Sequence, residues 1–105
     1  MGFFNRFHSP NINHGVQEFS ATQNAVLLDV RSKQEYQSGH IPGSINVPLQ
    51  TIEKIIHTVK KKDTPMYVYC LSGARSSRAV SSLEQMGYHN VKNIGGISAY
   101  SGKVV

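Results

Sequence analysis

The sequence is poor in the residues that crosslink a chain or bind metal through sulfur. It contains a single cysteine, Cys70, among 105 residues, and it contains no tryptophan. One cysteine excludes an intrachain disulfide framework and any zinc site that needs two thiolates. A free thiol is more typical of a reducing compartment than of an oxidising one.

Acidic residues and long apolar runs are also scarce. Six Asp and Glu face eleven Lys and Arg, which gives a formal charge of +5 and favours anionic partners. The basic residues are scattered except at Lys60–Lys62, and no repeat of basic and aromatic residues suggests nucleic acid. A solvated helix end is the favoured interpretation of the lysine cluster, and a docking patch is the alternative. We expect no nucleic-acid partner.

The remaining absences concern targeting and membrane insertion. No apolar run approaches the ~20 residues that a membrane span requires. The segment from residue 1 to 7 lacks the sustained apolar core and cleavage site of a signal peptide, and Arg6 stands where a myristoylation motif has Ser or Thr. We therefore expect a cytoplasmic protein without membrane contact.

The length predicts one domain, with a loose tail at residues 1–12 and a folded unit at 13–105. Apolar runs and helical periodicity alternate along the chain, which predicts an α/β fold, a mostly parallel sheet sandwiched by helices on both faces. The predicted strands are 25–30, 45–47, 66–69 and 91–94. One helix is predicted to start at Lys33 and another near Ser76, and a third is predicted over roughly 50–61. Residues 14–20 are expected to form a short strand or one helical turn.

The most informative stretch joins the third strand to the helix predicted near Ser76. Cys70 lies where the strand gives way to a loop, and this six-residue loop from Cys70 to Arg75 leads to the positive end of the helix dipole. A nearby cation and a helix N-terminus both lower a thiol pKa, so we expect a thiolate at neutral pH. Gly73 permits a tight turn, and Ser72 and Ser76 are further hydrogen-bond donors.

Three other interpretations of this stretch compete with a thiolate nucleophile for sulfur transfer. Cys70 could be an ordinary buried cysteine, or a redox sensor that lacks a second cysteine to resolve it. Phosphatases with a cysteine nucleophile have five residues between the cysteine and the arginine, whereas four separate Cys70 from Arg75. The smaller loop favours a sulfur atom over a phosphoryl group, and hence sulfur transfer over phosphoryl transfer.

Several motifs in order resemble the rhodanese family of sulfurtransferases over about residues 14–101. They are Leu27–Arg31, Glu35–Tyr36, Gly39–Pro48, the loop Cys70-x-x-Gly73-x-Arg75-Ser76, Gly87–Tyr88 and Gly95–Ile97. Members often carry a tryptophan after the paired glycines, and Tyr100 is the residue available to fill that space here.

The resemblance implies a parallel sheet between helices and a ping-pong transfer of sulfane sulfur. Cys70 would take sulfur from thiosulfate, a polysulfide or a protein persulfide and pass it to a thiol or cyanide. Arg75 would bind an anionic donor, and no metal or organic cofactor is implied. The substrate-binding set would be Leu71, Ser72, Gly73, Ala74, Arg75 and Ser76.

The sequence is less specific about supporting residues, partners and oligomeric state. Asp29 and Arg31 are expected to buttress the active-site loop through an ion pair or backbone hydrogen bonds. The expected partners are a small anionic sulfur donor and a protein that bears a thiol or persulfide, and the chain is expected to be a monomer or homodimer. A rhodanese-like module that binds a partner without turnover is the alternative to an enzyme.

Overall fold

The computed structural model describes residues 10–105, so most of the predicted tail lies outside the described residues. These residues form three α-helices, four strands and two 3-10 helices. They are α1 (Ile12–Ala21), β1 (Val26–Asp29), α2 (Lys33–Ser38), β2 (Ser44–Asn46), the 3-10 helix Leu49–His57, β3 (Met66–Cys70), α3 (Ala74–Gln85), β4 (Val91–Gly96) and the 3-10 helix Ile97–Ala99. Within residues 10–105, no helix is both long and apolar enough to cross a membrane.

The four strands form one parallel sheet in the order β2-β1-β3-β4. Alternate residues of β3 supply two cores, one on each face, because successive side chains of a strand point to opposite sides. Met66, Val68 and Cys70 pack with α3 and the longer 3-10 helix. Tyr67 and Tyr69 pack on the other face, where α1 lies. The predicted α/β sandwich is therefore confirmed.

Local signals in the sequence explain where α2 begins and where α3 ends. Ser32 and Glu35 form the predicted capping box, since the Ser32 hydroxyl accepts the Glu35 N–H and the Glu35 carboxylate accepts the Ser32 N–H. Helix α3 ends at Gln85, and Gly87 follows with a φ of 100°, as the chain reverses direction there.

Two predicted elements differ from the structure. The segment at 14–20 was expected to be a short strand or a single turn, but it belongs to the ten-residue helix α1, which Asn11 caps by accepting two backbone N–H groups. The amphipathic helix predicted over 50–61 is a 3-10 helix that ends at His57 and is kinked at Thr51. Its apolar periodicity survives, because Ile52, Ile55 and the following Val59 are buried.

The pairing of β3 with β4 slips by one residue near its carboxyl end. Val68 lies opposite Asn93, but Tyr69 lies opposite Gly95, so that Ile94 is an extra residue on β4. The predicted turn at Gly95–Gly96 is instead the last part of this strand, and Cys70 pairs with Gly96. The irregularity bends β4 directly beside the end of β3.

Candidate active site

The connection from β3 to α3 is shorter than the sequence predicted. Gly73 takes the N-cap position with a φ of 108°, and the helix begins at Ala74 rather than near Ser76. Only glycine adopts that backbone geometry without strain, which is why the helix can start two residues early. Arg75 therefore lies in the first turn of α3, and the loop proper is Leu71–Gly73.

The Cys70 sulfur lies at the N-terminus of α3 and accepts hydrogen bonds there. The Gly73 N–H donates to Cys70 Sγ at 3.0 Å, and Ser76 Oγ lies 3.4 Å from the same sulfur. Burial raises the pKa of the thiol, but hydrogen bonds from the Ser76 hydroxyl and from the backbone of Ser76, Gly73 and Ser72 leave that pKa below its ordinary value. The loop thus favours the thiolate, which is the nucleophilic form.

Asn93 is a site residue that the sequence analysis did not identify. Its Oδ1 accepts the Ser76 hydroxyl at 2.7 Å and the Gly95 N–H at 3.0 Å, while its amide group donates to the Gly73 carbonyl at 3.2 Å. Asn93 thereby fixes both ends of the first turn of α3 to β4. Its signal in the sequence is weak, because Asn93 is one of two adjacent polar residues, with Lys92, in the predicted strand 91–94.

The Ser76 hydroxyl has one hydrogen and three acceptors within reach. Besides Asn93 Oδ1, they are the Gly73 carbonyl at 3.0 Å and the Cys70 sulfur at 3.4 Å. A neutral thiol can donate to Ser76 Oγ, whereas a thiolate is stabilised when the hydroxyl turns to donate to the sulfur. Ser76 is fully buried, so this exchange takes place away from bulk water.

Arg75 is directed toward α2 and not toward the sulfur. Its two terminal nitrogens donate to the two carboxylate oxygens of Glu35, at 2.7 and 3.0 Å. Hydrogen bonds from Arg75 and from Ser32 lower the pKa of Glu35 from 4.5 to about 2, so the carboxylate is ionised at neutral pH. The capping-box spacing identified Glu35 as a capping residue of α2, but it did not predict the ion pair of Glu35 with Arg75.

Asp29 and Arg31 form a separate, buried ion pair beside the site. Three contacts of 2.7 to 3.1 Å join the Arg31 guanidinium to the Asp29 carboxylate. Arg31 also donates to the Gly39 carbonyl at 2.7 Å. Among the described residues, the hydrogen bonds of the two side chains join β1 to the turn after α2 and do not reach the loop at Leu71–Gly73.

Paired glycines on β4 allow the loop to lie against the sheet. A Cβ added at Gly96 would overlap the carbonyl of Leu71, so only a glycine leaves room for the loop backbone. The same carbonyl accepts the Ser98 N–H at 3.1 Å. The Leu71 side chain is directed outward and is 46% exposed. Among the other predicted binding residues, Ser72 and Ala74 are also exposed at the rim of the site.

A groove lies between α2 and the longer 3-10 helix. Its volume is about 850 Å³, and it runs along the outer edge of β2. Ile45, Val47 and Pro48 form part of its apolar surface. None of the residues of the loop Cys70–Arg75 lines it, so the groove is not the entrance to the thiol.

Comparison with known proteins finds sequence similarity over nearly the whole chain. The family model described as Rhodanese-like domain matches residues 14–103. Thiosulfate sulfurtransferase PspE of Escherichia coli is 41% identical over 71 residues, which cover 67% of this chain and 68% of that protein. The solved structure of a rhodanese with anions from E. coli superimposes with a TM-score of 0.72 at 36% identity, covering 77% of this chain and 96% of that one.

A second type of relative is much longer than this chain. The adenylyltransferase and sulfurtransferase of Ogataea parapolymorpha is 38% identical over 90 residues, which are 85% of this chain but only 23% of that protein. This chain therefore spans about a quarter of the length of that protein. The match of the family model to residues 14–103 shows that this chain belongs to the rhodanese-like domain family.

Proposed function

We propose that the chain is a sulfurtransferase in which Cys70 carries the sulfur as a persulfide. The observation that carries this proposal is the contact of 3.0 Å from the Gly73 N–H to Cys70 Sγ at the N-terminus of α3. The loop is so tight that the Gly73 N–H donates a hydrogen bond to the cysteine sulfur. Cys70 is 1% exposed, which suits attack on a small terminal sulfur better than attack on a tetrahedral phosphoryl group.

Loading is a displacement at sulfur in which charge and atoms balance. With thiosulfate, the Cys70 thiolate attacks the outer sulfur, a new S–S bond forms, the S–S bond of the donor breaks and sulfite leaves with the bonding electrons. The product is a Cys70 persulfide anion. Backbone N–H groups at the start of α3 are placed to stabilise that charge, as they stabilise the thiolate.

Unloading regenerates the thiolate. A nucleophile such as cyanide or a second thiolate attacks the outer sulfur of the persulfide, and the Cys70 sulfur is the leaving group. Its lowered pKa favours departure, because a more acidic thiol leaves faster. The proposed partners are accordingly a small sulfur donor and an acceptor that bears a thiol.

An intact-mass experiment tests the proposal directly. The reduced protein is exposed briefly to thiosulfate or to polysulfide, weighed, and then treated with cyanide. We expect a gain of one sulfur atom that cyanide removes. Because Cys70 is the only cysteine in the sequence, Cys70→Ser must remove the gain while its urea midpoint stays near that of the wild type. A folded wild-type protein that gains no sulfur from either donor would contradict the proposal.

A further inference from the structure

The arginine expected to grip an anionic donor already has a partner. Both terminal nitrogens of Arg75 bond the Glu35 carboxylate, and each of the two side chains is about one third exposed. This is the bidentate fork geometry that an arginine would offer to the oxygens of a sulfonate or phosphate. A dianionic donor must therefore displace Glu35 or bind without the fork.

Glu35 is fixed in this position by its own helix. Its Oε1 accepts the Ser32 N–H at 3.0 Å, and its backbone N–H donates to the Ser32 hydroxyl at 3.1 Å. The carboxylate cannot swing away from Arg75 without giving up part of the N-terminal cap of α2. It is also ionised at neutral pH, with a pKa of about 2. The negatively charged Glu35 carboxylate is therefore held beside Arg75 at neutral pH.

The rim of the site includes one large exposed apolar side chain. The Leu71 side chain, adjacent in sequence to the sulfur carrier, is 46% exposed. A donor with at most one negative charge can contact this side chain and meets less repulsion from Glu35 than a dianion does. A donor with two negative charges meets a guanidinium whose charge is already compensated.

We propose that Glu35 is a specificity-determining residue that disfavours dianionic donors such as thiosulfate and favours hydropersulfides, which carry at most one negative charge and react in their neutral, protonated form. This inference rests on the proposed sulfurtransferase function. In the preferred reaction the Cys70 thiolate attacks the outer sulfur of the protonated hydropersulfide, the donor S–S bond breaks, and the proton on the transferred sulfur passes to the departing thiolate. A Cys70 persulfide anion and a neutral thiol result.

The test compares two donors on Glu35→Gln. Glutamine can keep the cap on α2 but carries no charge. Persulfide loading is followed by intact mass at rising concentrations of thiosulfate and, separately, of 2-hydroxyethyl hydropersulfide. For thiosulfate we expect the half-saturating concentration to fall about two- to fivefold, the range that an exposed ion pair supports, with an unchanged maximal rate. For the hydropersulfide, which carries at most one negative charge, we expect a smaller change.

Two further variants show whether the effect of Glu35→Gln on the thiosulfate dependence requires Arg75. Ser32→Ala weakens the cap of α2 but leaves the ion pair, so its thiosulfate dependence should match the wild type. In Arg75→Ala, the additional change Glu35→Gln should give less improvement with thiosulfate than it gives in the wild-type background.

Failures of the inference and of the function are distinguishable. A wild-type protein that loads normally, with a thiosulfate dependence that Glu35→Gln leaves unchanged, would contradict the inference alone. An equal improvement with both donors would also contradict it, since that result points to a general loosening of the loop. A wild-type protein that loads with neither donor would contradict the proposed function and the inference together.

Discussion

Replacing Glu35 by glutamine should destabilise the fold in a way that depends on pH. The pKa of Glu35 is lowered from 4.5 to about 2, mainly by hydrogen bonds from Arg75 and Ser32. At about 1.4 kcal/mol for each pH unit, that difference corresponds to at most about 3 kcal/mol. Both side chains of the Arg75–Glu35 pair are about one third exposed, so solvent screening reduces the expected contribution to roughly 1 kcal/mol at pH 7.

The sign of the pH dependence follows from the direction of the shift. A carboxyl group whose pKa is lower in the folded state contributes its full stabilisation above its unfolded value, here about 4.5, and loses it as the pH falls toward 2. The gap in free energy of unfolding between wild type and Glu35→Gln should therefore be widest above about pH 5. It should close as the pH approaches 2.

Urea unfolding at pH 7, 4 and 2.5 measures that gap, provided that the slope against urea is the same in both proteins. Ser32→Ala is the matched control, because it removes the other half of the capping box with a group that does not titrate. Its cost of roughly 1 kcal/mol should change little between pH 7 and pH 2.5. A Glu35→Gln penalty that is equally large at pH 2.5 would refute the assignment of this stability to the carboxylate charge.

Three further predictions concern the sulfur, the paired glycines and the buried ion pair. Ser76→Ala should raise the pKa of Cys70, so alkylation by iodoacetamide should need a higher pH; an unchanged pH midpoint would contradict the hydrogen bond. Gly96→Ala should cost about 2 kcal/mol or more in urea unfolding, because a Cβ there meets the loop backbone, and a neutral result would show that the loop moves freely. Asp29→Asn should cost about 3 kcal/mol by leaving Arg31 buried without a charge partner, and a loss below about 1 kcal/mol would contradict that account.

Much of the architecture was predictable because its causes are local. The apolar runs predicted the strands, and the spacing of Ser32 and Glu35 placed the start of α2 correctly. Asp29 and Cys70 lie at the same carboxyl edge of the sheet, since β1 and β3 are neighbours and Asp29 pairs with Tyr69. Parallel strands joined by helices leave few other arrangements.

The errors have equally local causes. The start of α3 was predicted two residues late because the positive φ of Gly73 makes it a cap, which a count of apolar residues does not register. The extent of α1 was underestimated because its core contacts are few, with Ile12 and Gly15 as its buried residues. The kink at Thr51 likewise has no signature in the apolar periodicity.

Contacts between distant segments were the part of the site that the sequence could not supply. Glu35 and Arg75 are 40 positions apart, and Ser76 and Asn93 are 17 apart. No rule of sequence spacing predicts either contact, because the sheet order and the slip in β4 set the distance between the side chains. The residue types in the loop predicted a thiolate, but the partner of its arginine required the three-dimensional structure.

The extra residue in β4 has a consequence for anyone who would transplant this site into another protein. The slip at Ile94 sets Gly96 beside the loop backbone and allows Asn93 to reach the first turn of α3. Copying the segment from Cys70 to Ser76 onto a regular parallel sheet would supply the nucleophile without the strand that supports it. A successful graft would need to carry an irregular neighbouring strand as well, so the smallest transferable unit is a pair of strands with one helix.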